Sequence, residues 1–464
     1  MPPGDRRLTL FDATMLVMGG VIGVGIFFTP QSVARLVPQT GPYFALWLLG
    51  GLIALSGAMT FAELAATFPL AGGWFVFLRE AFGRFPAFLF AWIVLFVVST
   101  GAAAVVADFC AGQVAVLVWG LNGAPPGATR WLAAAMLVGL TLVSLAGVKS
   151  GALLQNACML LKLGALAALI GAAWLLVQPG GGAAVVPTAA STTGAPMAAP
   201  LAAPPLAQGL VRGMLPVLFS YGGWQLITYI APSVRDPQRT LPRSILLGMA
   251  GVVVVYLVAN ASFVRVLGMD GLQNDDFAAR VAQASLGPAG GRFLVAAMAI
   301  SALGICAAIV LASPWLYVAM AREGLFMQVF GRLSPRTGAP VAGLLVQGAV
   351  ALLYVAWGRA GLLTDAVVFA EWIFHALVGA ALLFLRARRP ELPRPFRSWA
   401  YPLFPLVYTV LAVAVVAGTL LQAEASRTLL GLGVLASGAL VYGPWRRIMA
   451  ASGAASDAAP PRAP

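Results

Sequence analysis

Charge is what this chain has least of. Asp, Glu, Lys and Arg make up 9% of its 464 residues, against roughly a quarter in soluble domains. Histidine occurs once and cysteine three times, so neither a His- or Cys-built metal centre nor a disulfide framework is available. There is no HExxH, no paired-cysteine motif and no cluster of His, Asp, Glu or Cys suited to acid–base work, which argues against an enzyme and against a bound metal or cofactor. Cys110, Cys158 and Cys306 all fall inside apolar stretches and read as small core residues.

In place of charge stands hydrophobicity, 61% of the chain, the composition of an integral membrane protein. Apolar stretches of spanning length number about twelve. They lie near 10–36, 43–68, 86–117, 130–147, 151–177, 208–232, 243–267, 293–320, 341–358, 364–386, 401–421 and 428–446. The first has no short apolar core followed by a small-residue cleavage site and is expected to be retained. The formal charge of +13 does not indicate a nucleic-acid partner, because the basic residues gather in alternate loops. Arg79, Arg84, Lys149, Arg239, Arg322, Arg336, Arg389 and Arg394 are among the many on one side, against fewer, such as Arg35, Arg130 and Arg280, on the other. Both termini are therefore expected in the cytoplasm of a cell whose inner, or plasma, membrane holds the protein.

The stretch Gly180–Pro205 is rich in Ala, Pro, Gly and Thr and carries no charge, so 179–207 is expected to be a flexible external linker. It divides one transmembrane domain (1–450) into halves, 8–178 and 208–388, which five spans apiece would give opposite topology. Residues 400–447 add a further pair of helices, and 451–464 have the composition of a disordered cytoplasmic tail. Asn274-Asp275-Asp276-Phe277 opens a short helical pattern ending near Gly287-Pro288, expected outside the membrane over the vestibule.

The first span weakens its own backbone. Gly23-Val24-Gly25 sits in its middle, where each glycine is about 1 kcal/mol worse than alanine. The sixth span carries a matching interruption at Ser220-Tyr221-Gly222-Gly223. Broken helices survive in lipid only where they line a protected cavity, and a pair of breaks at corresponding positions marks a transporter's binding site. The first break would offer amides at the positive end of a half-helix, suited to a carboxylate. The second would offer the carbonyls of Phe219 and Ser220, suited to an ammonium group. Close helix packing through Gly19 and Gly23 is the alternative; a nucleotide loop is excluded because no strand precedes it.

These residues, together with other motifs in order, resemble the amino acid–polyamine–organocation superfamily of permeases, and within it the L-type amino-acid transporter branch. The resemblance rests on Gly23-Val24-Gly25-Ile26-Phe27, Ala62-Glu63-Leu64, Pro69-Leu70-Ala71-Gly72-Gly73, Leu78-Arg79-Glu80-Ala81-Phe82-Gly83 and Phe219-Ser220-Tyr221-Gly222-Gly223-Trp224. It continues through Asp236-Pro237-Gln238-Arg239-Thr240-Leu241-Pro242-Arg243 and Arg389-Pro390-Glu391-Leu392-Pro393-Arg394-Pro395. It implies an all-α fold of the LeuT type, five helices plus five in inverted repeat with two appended. It also implies a substrate site at Ile22, Gly23, Val24, Gly25, Ile26, Phe219, Ser220 and Gly222. Amides of Gly23, Val24 and Gly25 would hold a carboxylate, carbonyls of Ile22, Phe219 and Ser220 an amino group, and Phe219 would gate the site. Val24 departs from the branch, which usually has serine there.

Lys162 lies about 11 positions into its span, so at 1.5 Å per residue it is about 16 Å deep. An ionisable group at that depth is a functional candidate by default, with snorkelling to the interface as the alternative. The resemblance places it where sodium-coupled relatives bind sodium, bridging the first and eighth spans, either carrying a proton or standing in for the cation. Glu371 and His375, at i and i+4, share a helix face; they read as a packed structural pair, with a proton relay as the alternative, and Asp108 reads similarly. Glu63 is expected to serve an inner network with loop arginines such as Arg79 or Arg239. Trp224 fits helix packing and pocket lining equally.

The expected activity is amino-acid transport by alternating access, most simply of neutral L-amino acids, by exchange or with a proton as co-substrate. Lys162 disfavours sodium coupling. A non-transporting nutrient sensor, or transport of cationic amino acids or polyamines, are the alternatives. The loop between the third and fourth spans has no cysteine, so no disulfide-linked accessory subunit is expected.

Overall fold

The computed structural model describes residues 8–120, 123–181, 204–358, 364–422 and 425–457. Regular structure among them is helical apart from one isolated bridge between Leu8 and Val234. Six stretches of helix are long and apolar enough to cross a bilayer, and the shorter apolar helices Leu10–Val21, Val341–Trp357 and Leu403–Gly418 accompany them. Fewer stretches qualify by length than the apolar pattern gave, partly because the first and sixth are interrupted.

Helix α1 (Leu10–Val21) opens on a reciprocal cap: Asp12 N donates to Thr9 Oγ1 at 3.2 Å and Thr9 N to Asp12 Oδ2 at 2.8 Å. It stops at Ile22, whose backbone is extended. A 3₁₀ turn, Val24–Phe27, follows, and then α2 (Thr29–Leu36), with Pro30 in its first turn. Next come α3 (Thr40–Thr67), α4 (Trp74–Phe82), α5 (Arg84–Ile93), α6 (Ser99–Trp119), α7 (Ala128–Leu145) and α8 (Val148–Leu175). The second half begins with α9 (Leu206–Ser220), which breaks into a 3₁₀ segment, Trp224–Ser233. It continues through α10 (Pro237–Leu272), α11 (Phe277–Leu286), α12 (Gly290–Ala312), α13 (Pro314–Arg322), α14 (Val341–Trp357) and α15 (Thr364–Arg388). Helices α16 (Leu403–Gln422) and α17 (Ala425–Asp457) complete the chain.

Two boundaries differ from the sequence reading. Helix α9 already begins at Leu206, inside the expected linker, most of which (182–203) lies outside the described residues. Helix α17 runs through Asp457, so 451–457 of the expected disordered tail continue a helix, while 458–464 lie outside the described residues. The short helix expected after Asn274 is present as α11, though its acidic residues precede rather than enter its first turn. Asp276 pairs with Arg280 at 2.7 Å, and Asp275 reaches back to Arg35 on α2 at 3.1 Å.

Helices of the two halves lie along one another, α3 along α10 and α6 along α12. Helix α1 packs against α8, α10, α12 and the Trp224–Ser233 segment. The chain before α1 and the end of the second broken helix are tied: Leu8 N donates to Ser233 O at 3.1 Å and Arg235 N to Leu8 O at 2.9 Å.

Ion pairs hold the side bearing α4. Glu63, with a side chain 1% exposed, accepts from Arg386 Nε at 2.8 Å and NH2 at 2.5 Å, and from Ser398 N at 2.7 Å, with Arg394 Nε at 3.5 Å. Its partners are thus the arginines at and after the end of α15. Arg79 and Arg239 are engaged elsewhere, Arg79 with Glu80 and Glu323, and Arg239 with Asp236 at 3.9 Å. Sequence distance hid this, because more than three hundred residues separate Glu63 from Arg386.

Glu80 lies between Arg79 (2.5 Å) and Arg389 (2.9 Å). Partial burial pushes its carboxyl up, but hydrogen bonds and charge from both arginines outweigh this and hold it below the usual carboxylate range. A depressed folded-state value contributes stability above the ordinary carboxylate pKa and loses it as pH falls through the folded value. The difference in thermal stability between wild type and Glu80→Gln should therefore be present at neutral pH and vanish in acid. A difference that grew on acidification would contradict these pairings.

Candidate functional site

The site is built where the two breaks face each other. Gly20 on α1 and Gly223 in the second break meet backbone to backbone: a Cβ added at Gly20 would lie 2.6 Å from the Gly223 oxygen. Gly223 has φ +111°, a conformation open chiefly to glycine. One turn outward, Ser220 Oγ donates to Thr29 Oγ1 at 2.8 Å, and a Cβ at Gly25 would lie 3.4 Å from that Ser220 hydroxyl. Glycine thus serves both readings of the sequence, breaking the helix and letting backbones touch. Gly19 makes room for Gln155 on α8, and Gly23 for Ile305 on α12.

At the first break the amides of Gly23, Val24 and Gly25 open the 3₁₀ turn, so geometry gives them no acceptor within it. Val24 and Gly25 are partly exposed, as an anion-facing position requires. Val24 packs its side chain toward Cys110 on α6 and Ala299 and Ala302 on α12. The Ile26 side chain, like that of Ile22, is wholly buried in the core.

The carbonyl side is partly occupied by the protein itself. Helices α1 and α9 both end at the breaks, bringing two negative helix ends together. Lys162, 4% exposed, donates from Nζ to the Ile22 oxygen at the α1 end. The Tyr256 hydroxyl on α10 lies 3.0 Å from the Val21 oxygen and 3.1 Å from the Ser220 oxygen, its single proton shared between the two. Gly222 N turns back to the Phe219 oxygen at 3.1 Å. Each carbonyl retains a second lone pair for a ligand. Phe219 is 55% exposed, unlike its buried neighbours Leu218 and Ser220.

Tyr256, Thr29 and Gln225 were not found from the sequence. A polar ring inside the apolar run before Asn260 was the available signal for Tyr256, since a buried phenol needs a partner. Removing that hydroxyl leaves carbonyls short of a donor at about 1–3 kcal/mol. Tyr256→Phe should accordingly lower thermal stability and weaken substrate binding together; an unchanged binding isotherm would show that the tyrosine does not set the spacing of the breaks.

Beside the site, Gln225 Oε1 accepts from Gly223 N at 3.0 Å and its Nε2 donates to Glu371 at 2.9 Å. The Glu371 carboxylate stands 3.9 Å from His375 Nε2, and His375 Nδ1 meets the Tyr408 hydroxyl. The predicted i, i+4 pair is therefore real, but it belongs to a chain leading from the second break into α16. Trp224 packs on Phe61 with ring centres 4.8 Å apart and takes the packing role. Asp108, grouped with the packed residues from sequence, is exposed.

The family described as amino acid permease matches residues 8–435, which include both breaks and Lys162. The b(0,+)-type amino acid transporter 1 of Mus musculus is 27% identical over 443 residues, covering 94% of this chain and 87% of the relative. The protein of the same name from Oryctolagus cuniculus is 28% identical over 394 residues, 85% and 78% respectively. Large neutral amino acids transporter small subunit 2 of Homo sapiens is 27% identical over 437 residues, 94% and 80%.

Proposed function

Because this chain belongs to the amino acid permease family, and so is a multi-pass transporter and not an enzyme, we propose that it carries neutral L-amino acids across the cell's inner or plasma membrane by alternating access. The observation that carries this reading is the pair of facing breaks. Amides of Gly23, Val24 and Gly25 take the carboxylate, free lone pairs on Ile22, Phe219 and Ser220 take the ammonium, and Phe219 closes over the substrate. The halves 8–178 and 208–388 are inverted repeats of a LeuT-type fold of twelve spans, with 400–447 appended and both termini cytoplasmic. Matching breaks and the pairing of α3 with α10 and α6 with α12 support that arrangement. Lys162, hydrogen-bonded to the end of α1, fills a cation position, which favours exchange or proton coupling over sodium. The chain acts without a disulfide-linked subunit, since Cys110, Cys158 and Cys306 are all buried.

A second reading, transport of cationic amino acids, is favoured by Glu371. Its carboxylate is 29% exposed and one side chain away from Gly223. Counterflow into proteoliposomes preloaded with leucine, arginine or nothing separates these outcomes. Labelled leucine accumulating only against preloaded leucine supports a neutral exchanger; arginine moving in its place supports the second reading. Movement of no amino acid, with a working control transporter alongside, would leave a non-transporting sensor.

A further inference from the structure

A file of polar groups, buried from Asn156 onward, runs from the end of α1 near Thr9 to Lys162, and apart from Lys162 the substrate site uses none of it. Gln155 on α8 is 1% exposed and lies two turns before Lys162 on the same face. Neither its Oε1 nor its Nε2 has a hydrogen-bond partner among the described residues. Its neighbour Asn156 is also buried: Nδ2 donates to Asp12 Oδ1 at 2.6 Å, while Oδ1 has no partner among the described residues. Glycines open the space. A Cβ at Gly19 would run into Gln155 Nε2, and one at Gly304 on α12 would stand 3.6 Å from Lys162 Nζ and 3.8 Å from Gln155 Oε1. Those two polar atoms thus both lie within 4 Å of a single point beside Gly304.

A buried amide unpaired at both ends costs about 1–3 kcal/mol per group, and a dry seam between helices would take leucine here at no such cost. Polar niches of this kind hold ordered water, which satisfies two to four groups at once. We propose that water ordered in the niche between α1, α8 and α12 links Lys162 through Gln155 and Asn156 to Asp12, and that the Lys162 proton reaches the cytoplasm by this file.

The proposal rests on the permease reading and its cytoplasmic N-terminus, and gives its coupling ion a route. In the transfer, an Nζ–H bond of the Lys162 ammonium breaks and a niche water takes the proton. The proton then passes from water to water, which the Gln155 and Asn156 amides hold in place without carrying it themselves, to the Asp12 carboxylate and on to bulk water, leaving a neutral amine. Few titratable groups among the described residues surround the route. Cys158 faces Lys162 from its own helix. Cys306 on α12 is turned to Ala103 of α6, and Cys110 on α6 to Ala299 of α12. Tyr256 of α10 is engaged at Val21 and Ser220, and Asp12 faces the exposed Lys149.

Proteoliposomes holding an internal pH dye read counterflow and substrate-driven proton movement on one preparation. Exchange returns a loaded carrier and needs no proton release, so Gln155→Leu and the niche-filling Gly304→Ala should keep counterflow within about twofold. Both should slow proton movement by about tenfold, and Gln155→Glu should restore it. Wild-type counterflow without proton movement overturns the proposal and leaves the permease standing, as do proton rates in both variants equal to wild type. Absence of wild-type counterflow overturns both. Radiolytic hydroxyl labelling of the wild type gives a readout independent of any variant. Cys158 and Met159 border the niche although buried, and should oxidise faster than Cys306; protection equal to that of Cys306 means the niche is dry and the proposal fails.

Discussion

Gly223→Ala should leave little folded, transport-competent protein, while Gly112→Ala leaves both yield and transport near wild type. At Gly223 a side chain meets two obstacles at once. Its φ of +111° is strained for any L-residue with a Cβ, and the new Cβ would collide with the Gly20 carbonyl. Both obstacles are backbone, so no rotamer change relieves them. Strain at such a φ costs about 1–3 kcal/mol, and overpacking adds about 1–3 kcal/mol, a large share of a native protein's margin of about 5–15 kcal/mol. Gly20→Ala attacks the same contact from α1 without a positive φ and should show the overpacking part alone. Gly112 lies on α6 with open space around a new Cβ, and alanine there gains helix propensity. Melting of the purified proteins in detergent, with counterflow on the same preparations, reads all of these. Wild-type behaviour of Gly223→Ala would mean that the broken helices do not touch at Gly20.

Glu63→Gln should be the most damaging substitution on the α4 side. The amide keeps the shape of the carboxylate but loses its charge, leaving Arg386 and Arg394 without their anion and Ser398 N with a weaker acceptor. Breaking a buried pair by removing one partner typically costs about 3–5 kcal/mol. Adding Arg386→Met to Glu63→Gln removes the stranded cation, so the double variant should be less destabilised than the sum of the single ones, by about 0.5–3 kcal/mol. Strict additivity in the unfolding measurements would show that the ion pair contributes nothing beyond its members. The network joins α3 to the end of α15 and the loop before α16, so transport should fall with stability.

Glycine and serine inside long apolar runs marked both breaks in the sequence, because lipid leaves no other acceptor for a freed backbone group. Periodicity likewise put Glu371 and His375 on one face, and span depth put Lys162 in the interior. What failed to show were partners far apart in the chain. Glu63 could be recognised as a buried acid, but its arginines are on α15 and beyond, and local spacing carries no information about that packing. Gln225, between Gly223 and Glu371, likewise acquires a role only when the second break and α15 are adjacent.

The sequence by itself determined the membrane class, the two interruptions and the buried lysine, since each follows from what a bilayer permits a single helix to contain. Only the tertiary structure decided that Gly20 meets Gly223, that Tyr256 and Lys162 occupy the carbonyls at the breaks, and that Ile26 packs inward. These depend on distances between helices, set by side-chain volumes on several elements at once, and no one segment encodes them.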